Sequence, residues 1–333
     1  MVLYHAISSY QLLNVMVHAQ TFHSHEKKIL ILPDFIVTKY PQYKKIAKHK
    51  IFHEVFLFPY LLIPHHRDTV LDNVIDMYTK TIPYDIHAFT KIYVAGTHFY
   101  FSLYLIVNKI HFSAFEDAYG MLDRSNTLYF NLKKMYPVHA EIVQEYGLFD
   151  MSCQYIQEII CAEKSKYNLL LKKTVHLFNF YNYFNRLSFL TKRKIICFFT
   201  RKRFRVPDNS VIILTQHFSN LGVMSLKQQA QLYQIIFDKI YPSQKIYIKK
   251  HPDDLLDYSK LNKNVKIING IFPSELLPIL CKTSQAELFT ISSTGGMLLQ
   301  PYFKKYLCLR EEFPTLYDEK DEFNSIIKIL NTF

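Results

Sequence analysis

Short apolar runs, each closed by turn residues and followed by a longer helical pattern, recur along this chain. Val2–Ile7 predicts a first strand, with Ser8-Ser9 as a helix cap and a helix through about Gln20. Lys28–Leu32 predicts a second strand closed by Pro33-Asp34, Phe52–Phe58 a third, and His65–Tyr78 a helix. Ile92–Ala95 and Lys109–Glu116 are further strands, the second ending in the acidic pair Glu116-Asp117. Between them Thr97–Val107 fits a helix or a buried strand equally, because a short apolar run does not decide the matter. Residues 121–200 carry few strand signals; Val138–Tyr146, Cys153–Lys164 and Leu177–Phe199 read as helical or irregular and are dense in Phe and Tyr.

Pro207-Asp208-Asn209 is a strong turn signal, and it divides the chain into domains 1–205 and 206–333. Beyond it, Ser210–Thr215, Lys245–Lys249, Val265–Ile268, Ala286–Ile291 and Tyr306–Leu309 predict strands. Ser225–Ile240, Pro273–Lys282, a segment from about Met297, and Glu322–Leu330 predict the helices that separate or follow them. Both halves therefore read as layered α/β domains with largely parallel sheets.

Composition sharpens this picture at a few points. With 333 residues, 49% hydrophobic and 16% aromatic, the chain has material for two cores, which excludes wholesale disorder. It has only 7 glycines and neither GxGxxG nor GxxxxGK[ST], so the dinucleotide fingerprint and the P-loop are both absent. A formal charge of +12 calls for an anionic partner: nucleic acid, anionic lipid or a phosphorylated substrate. No nucleic-acid module is recognisable, so nucleic acid is not the expected partner. The basic segment Lys192–Arg205 is either a solvated linker or a contact for anionic lipid or acceptor.

Cys153, Cys161, Cys197, Cys281 and Cys308 show no CxxC spacing and suit free thiols in a reducing cytoplasm. The N-terminus lacks a basic leader, and Phe99–Val107 is too short to span a bilayer. A cytoplasmic protein is expected, with peripheral attachment to the inner face of the cell membrane as a further expectation.

Three stretches carry candidate chemistry. In Lys245–Asp254 an apolar strand is stopped by His251-Pro252, since proline cannot continue a ladder. His251 is thereby set behind Lys249 and Lys250 at a carboxyl edge, where open α/β sheets bind ligands. The Ser292-Ser293-Thr294-Gly295-Gly296 turn joins a strand to a helix, and its small residues let backbone N–H groups and hydroxyls approach a phosphate. Each stretch alone has a plain structural explanation; together, on one sheet edge, they predict a nucleotide-phosphate site. Glu116 and Asp117 could supply a general base, or simply cap a solvated loop. No convergent metal ligands and no GxSxG elbow are found, so neither a metal nor a serine hydrolase is expected.

The order ILTQ (Ile213–Gln216), IYIKKHPDD (Ile246–Asp254), IFPSELL (Ile271–Leu277) and TISSTGG (Thr290–Gly296) resembles the bacterial sialyltransferases of glycosyltransferase family 52. That family includes lipooligosaccharide and capsular α-2,3-sialyltransferases. The resemblance covers residues 205–310, and HFSAFEDAYG (His111–Gly120) extends it to the first half. It implies a GT-B architecture, two Rossmann-like domains facing a central cleft. The first would be the acceptor-side domain with a helical, aromatic-rich insertion, the second the nucleotide-sugar domain. It also implies CMP-sialic acid as donor, a galactoside-type glycan acceptor in capsule or lipooligosaccharide, inversion, no cofactor and no metal, and a homodimer. In that scheme His251 assists departure of the CMP phosphate, and Ser292, Ser293 and Thr294 hold it, with Gly295, Lys249, Pro252 and Gln216 around the nucleotide. Glu116 or Asp117 is the base, although Ala118 stands where relatives carry glycine. The alternatives are a GT-B enzyme using another nucleotide sugar, or a non-catalytic membrane-peripheral protein.

Overall fold

The computed structural model describes residues 1–120, 122, 125–163, 173–318 and 320–333, and its contacts divide the chain into units at Met1–Phe199 and Thr200–Phe333. The first unit contains β1 (Val2–His5), β2 (Lys28–Pro33), β3 (Glu54–Phe58), β4 (Lys91–Ala95), β5 (Phe112–Phe115), β6 (Ile156–Cys161) and β7 (Thr174–Leu177). They form one sheet in the order β3-β2-β1-β4-β5-β6-β7, every pairing parallel. The second contains β8 (Val211–Leu214), β9 (Ile246–Lys249), β10 (Val265–Ile267), β11 (Glu287–Thr290) and β12 (Lys305–Cys308) in the order β10-β9-β8-β11-β12, again all parallel. This is the two-domain α/β architecture of GT-B proteins.

Parallel strands need crossovers, and crossovers cover both faces of a sheet. β1, β2, β8 and β9 are accordingly buried at every position. The ambiguous run after β4 is a helix, Tyr100–Val107, apolar on all sides because it is buried on almost all sides. Ser8 caps the helix Ser9–Phe22 by accepting the Gln11 N–H, and Ser225 with Gln228 forms a capping box on Leu226–Ile235. That second helix ends in a π-helical turn, Ile236–Ile240.

Three expectations are corrected. Cys153–Lys164 is not helical: it contains β6, and Lys164 lies outside the described residues. Ile156, Ile159 and Ile160 fall at i, i+3, i+4 and imitate a helix face, but this β-branched run is a strand between β5 and β7. β7 itself is a largely exposed edge strand, and its alternation, TVHL, runs for only four residues. Pro273–Lys282 folds as a 3-10 turn, Ser274–Leu276, and a single helical turn, Leu277–Leu280.

Candidate active site

In each sheet the strand order reverses beside the first strand of the unit: β8 in one, β1 in the other. The carboxyl ends flanking such a switch point form the ligand crevice of open α/β sheets. In the second unit the loops after β9 and β11 stand on either side of β8.

The loop after β9 is built around a carboxylate. His251 donates its N–H to Thr215 Oγ1 at 3.0 Å, and Thr215 donates in turn to Asp254 Oδ2 at 2.6 Å. Buried Asp254 also accepts from the Tyr258 hydroxyl at 2.7 Å, Gln229 Nε2 at 2.9 Å and the Leu256 N–H at 3.1 Å. Burial raises the Tyr258 hydroxyl well above its ordinary range, which keeps it a donor. Gln229 Nε2 reaches the Gln216 carbonyl as well (3.1 Å), and the Gln216 N–H donates to the Tyr233 hydroxyl at 2.9 Å. A buried carboxylate with four donors is satisfied in every direction, so this turn has one geometry.

That geometry presents His251 with a side chain 36% exposed, beside exposed Pro252. Its ring stacks on His217, centroids 3.9 Å apart and planes 10° from parallel. The Asp253 N–H donates to His251 Nδ1 at 3.2 Å, which sets the neutral ring's proton on Nε2 as a donor. His217, His251 and Asp253 have ligand-type atoms within 4.8 Å of one another, the one such set among the described residues.

The loop after β11 turns tightly. The Ser293 N–H donates to Thr290 Oγ1 (3.1 Å), the Gly296 N–H to the Ser293 carbonyl (3.3 Å), and the 3-10 helix Thr294–Tyr302 follows. A Cβ on Gly295 would stand 2.8 Å from Ser274 Oγ, so glycine is what lets the loop press on the Ser274-Glu275 turn. Ser292 and Ser293 are half-buried, and the Tyr317 hydroxyl bonds with Ser292; the side chain of Thr294 lies outside the described residues. Lys249 is directed inward: its amine donates to the Gly270 carbonyl at 3.3 Å and lies 4.4 Å from the Phe272 ring centroid. Burial lowers this lysine to about 8, against the pull of Glu275, and raises Glu275 to about 7. Lys250 is the lysine that reaches the surface.

In the first unit the two adjacent acids are separated by environment. Glu116 is buried; it accepts the Ala162 N–H at 2.7 Å and so ties the end of β5 to the end of β6. Burial pushes it up to about 8 despite donation from the Ala162 and Gly120 N–H groups. Asp117 has a side chain 21% exposed, accepts Gln11 Nε2 at 2.7 Å and lies 3.8 Å from His98 Nδ1. Gln11 accepts the Ile7 N–H at 2.9 Å, so the segments after β1 and β5 are joined through one amide. Gly96, at φ +79, closes the loop after β4 against Ile7, where a Cβ would meet a side-chain carbon at 2.5 Å. Burial lowers the His98 pKa, and Asp117 opposes that shift.

Sequence reasoning singled out His251, Asp117 and the serine loop but not Gln11, His98, Thr215, His217, Gln229, Asp254 or Glu275. Asp254 and His217 carried a local signal, as direct continuations of the His-Pro and Leu-Thr-Gln stretches. Gln11 carried none, being 106 residues from Asp117.

A family model described as alpha-2,8-polysialyltransferase (POLYST) matches residues 10–305. A curated relative, an uncharacterised protein of Haemophilus influenzae, is 36% identical over 85 residues; the match spans 26% of this chain and 27% of that protein. Solved structures similar over 99% of this chain include UDP-GlcNAc 2-epimerase of Methanocaldococcus jannaschii with UDP-GlcNAc and UDP (13% identity, TM-score 0.53, 93% of that chain). UDP-GlcNAc 2-epimerase of Neisseria meningitidis bound to UDP-GlcNAc is similar over the same 99% (18%, TM-score 0.52, 90% of that chain). So is Arabidopsis thaliana UGT89C1 complexed with UDP-L-rhamnose (9%, TM-score 0.54, 88% of that chain). At these identities the likeness is one of fold.

Proposed function

This chain belongs to the alpha-2,8-polysialyltransferase family, and from that premise we propose that it is an inverting sialyltransferase using CMP-sialic acid without a metal. The observation that carries the reading is His251, held by the Asp254 network with its Nε2 proton as donor, across the end of β8 from the Ser292–Gly296 loop.

In the proposed reaction an acceptor hydroxyl oxygen attacks the anomeric carbon as the bond from that carbon to the CMP phosphate oxygen breaks. The electron pair leaves with the phosphate, where His251 Nε2–H, the Ser292 and Ser293 hydroxyls and the loop N–H groups stabilise the charge. Asp117, the partly open acid of the first unit, is the carboxylate suited to take the acceptor proton. Glu116 is unsuited to that role because its carboxylate is buried and engaged by Ala162. Donation from His251 costs no rearrangement of its backbone, which is the advantage of fixing donors beforehand.

The test is release of CMP from CMP-sialic acid by the purified protein and by His251→Ala, with thermal shifts by CMP and UDP alongside. Release that falls about 100-fold in the variant, with stabilisation by CMP, supports the proposal. Stabilisation by UDP alone would transfer the site to another nucleotide sugar, and equal release by both proteins would remove His251 from the reaction. The family-52 resemblance favours a galactoside acceptor and α-2,3 linkage, the matched family a sialyl acceptor and α-2,8 linkage. Linkage analysis of products from galactoside- and sialoside-ended acceptors separates the two.

A further inference from the structure

Two packed helices in the first unit build a basic surface with an apolar end. The 3-10 helix Pro41–His49 and the helix Phe189–Phe199 meet through Tyr43, His49 and Phe198, with ring centroids 5.0 and 5.4 Å apart. Tyr43, Ile46, Ile195, Phe198 and Phe199 are buried in or beneath that contact. The outward sides of both helices are therefore cationic: Lys44, Lys45 and Lys48 on one, with Lys50 directly after it, and Arg193 and Lys194 on the other, all exposed.

No carboxylate relieves this charge from within the same segments, since residues 35–53 and 173–207 contain no Asp or Glu. At the start of the second helix Phe189 is 74% and Leu190 66% exposed, side by side. They lie about 13 Å along the helix from Phe198, at 1.5 Å per residue. No helix among the described residues is long and apolar enough to cross a membrane.

We propose that this surface docks on an anionic lipid bilayer, the lysines and arginines against headgroups and Phe189-Leu190 inserted at the interface. The pairing of features selects the partner. Cations alone would suit any polyanion, but two adjacent exposed apolar side chains at the end of a cationic helix gain only where a low-polarity phase adjoins the charge. Each cation near such a surface contributes about fivefold in partitioning, an attraction that salt screens. The inference stands independently of the sugar donor, because none of these residues belongs to the candidate active site.

Sedimentation of the full chain with vesicles tests it. Binding is expected to vesicles containing about 30% phosphatidylserine at about 0.05 M salt, little to phosphatidylcholine alone, and loss of binding near 0.5 M. Lys44→Gln/Lys45→Gln/Lys48→Gln should lower partitioning at least tenfold, and Phe189→Ser/Leu190→Ser severalfold, with the melting temperature and CMP response unchanged. Equal binding by wild type and both variants, or none by wild type, would overturn the proposal. Loss through the lysine variant with no effect of the Phe189/Leu190 variant, together with displacement by single-stranded RNA, would reassign the patch to a soluble polyanion.

Discussion

The two sheets present their first-strand edges in opposite ways. In the second unit a fully buried carboxylate, Asp254, gathers four donors and holds the backbone around an exposed imidazole. In the first, the buried acid Glu116 serves the backbone while its neighbour Asp117 stays partly open, steadied by Gln11. Adjacent acids thus carry different work, and burial decides which. A carboxylate that braces a loop is saturated with donors; one that can accept a proton from a substrate keeps part of its surface in solvent.

The sharpest test of this contrast is activity. Asp117→Asn and His251→Ala should each lower turnover about 10²–10⁴-fold with little change in melting temperature. Asp117→Asn at wild-type rate would mean that the open acid is only a loop anchor. Next is the brace: Asp254→Ala strands the Thr215, Tyr258 and Gln229 donors and should cost about 3 kcal/mol in urea unfolding, with activity falling too. A loss below about 1 kcal/mol would show that water replaces the carboxylate.

The buried acid gives a signature that appears only as pH is varied. Glu116 titrates near 8 when folded against 4.5 for the ordinary group, so the folded state holds a proton that the unfolded chain has released across that window. Its contribution is full below pH 4.5, declines on the order of 1 kcal/mol per pH unit through the window, and is level above pH 8. Glu116→Gln should therefore flatten the fall in stability between pH 5 and 8; an unchanged profile would place the charge elsewhere. Smallest is a pair of glycines. Gly96→Ala, at φ +79 against Ile7, should cost about 1–3 kcal/mol. Gly295→Ala, where the one close approach is to the rotatable Ser274 hydroxyl at 2.8 Å, should cost under about 1 kcal/mol of stability while weakening nucleotide stabilisation. Equal losses would show that contact, not backbone strain, dominates at both.

What was legible in the chain follows from range. Apolar runs with Pro and Ser-Gly stops place most strands and the edge positions of His251 and Ser292, because those signals act within a few residues. β6 was hidden by an accidental helical spacing and β7 by the shortness of its four-residue alternation. The braces were invisible for a different reason. Thr215 meets Asp254 across 39 residues, and Gln11 meets Asp117 across 106. Nothing local distinguishes such a threonine or glutamine from a surface one. Lys249 shows the converse: its local setting suggested a place at the nucleotide, and the β9 pleat turned it inward.

The uniformly parallel pairing of the second sheet also has a consequence for synthesis. β8 is the middle strand, yet its β11 neighbour comes far later: Thr290, which donates to the Leu214 carbonyl, follows it by 76 residues. At about 5–20 residues per second, one side of the central strand emerges from the ribosome roughly 4–15 seconds before the strand that will cover it. During that interval VIIL, residues 211–214, is an uncovered, uncharged β-branched segment, the kind of sequence that a nascent-chain chaperone binds.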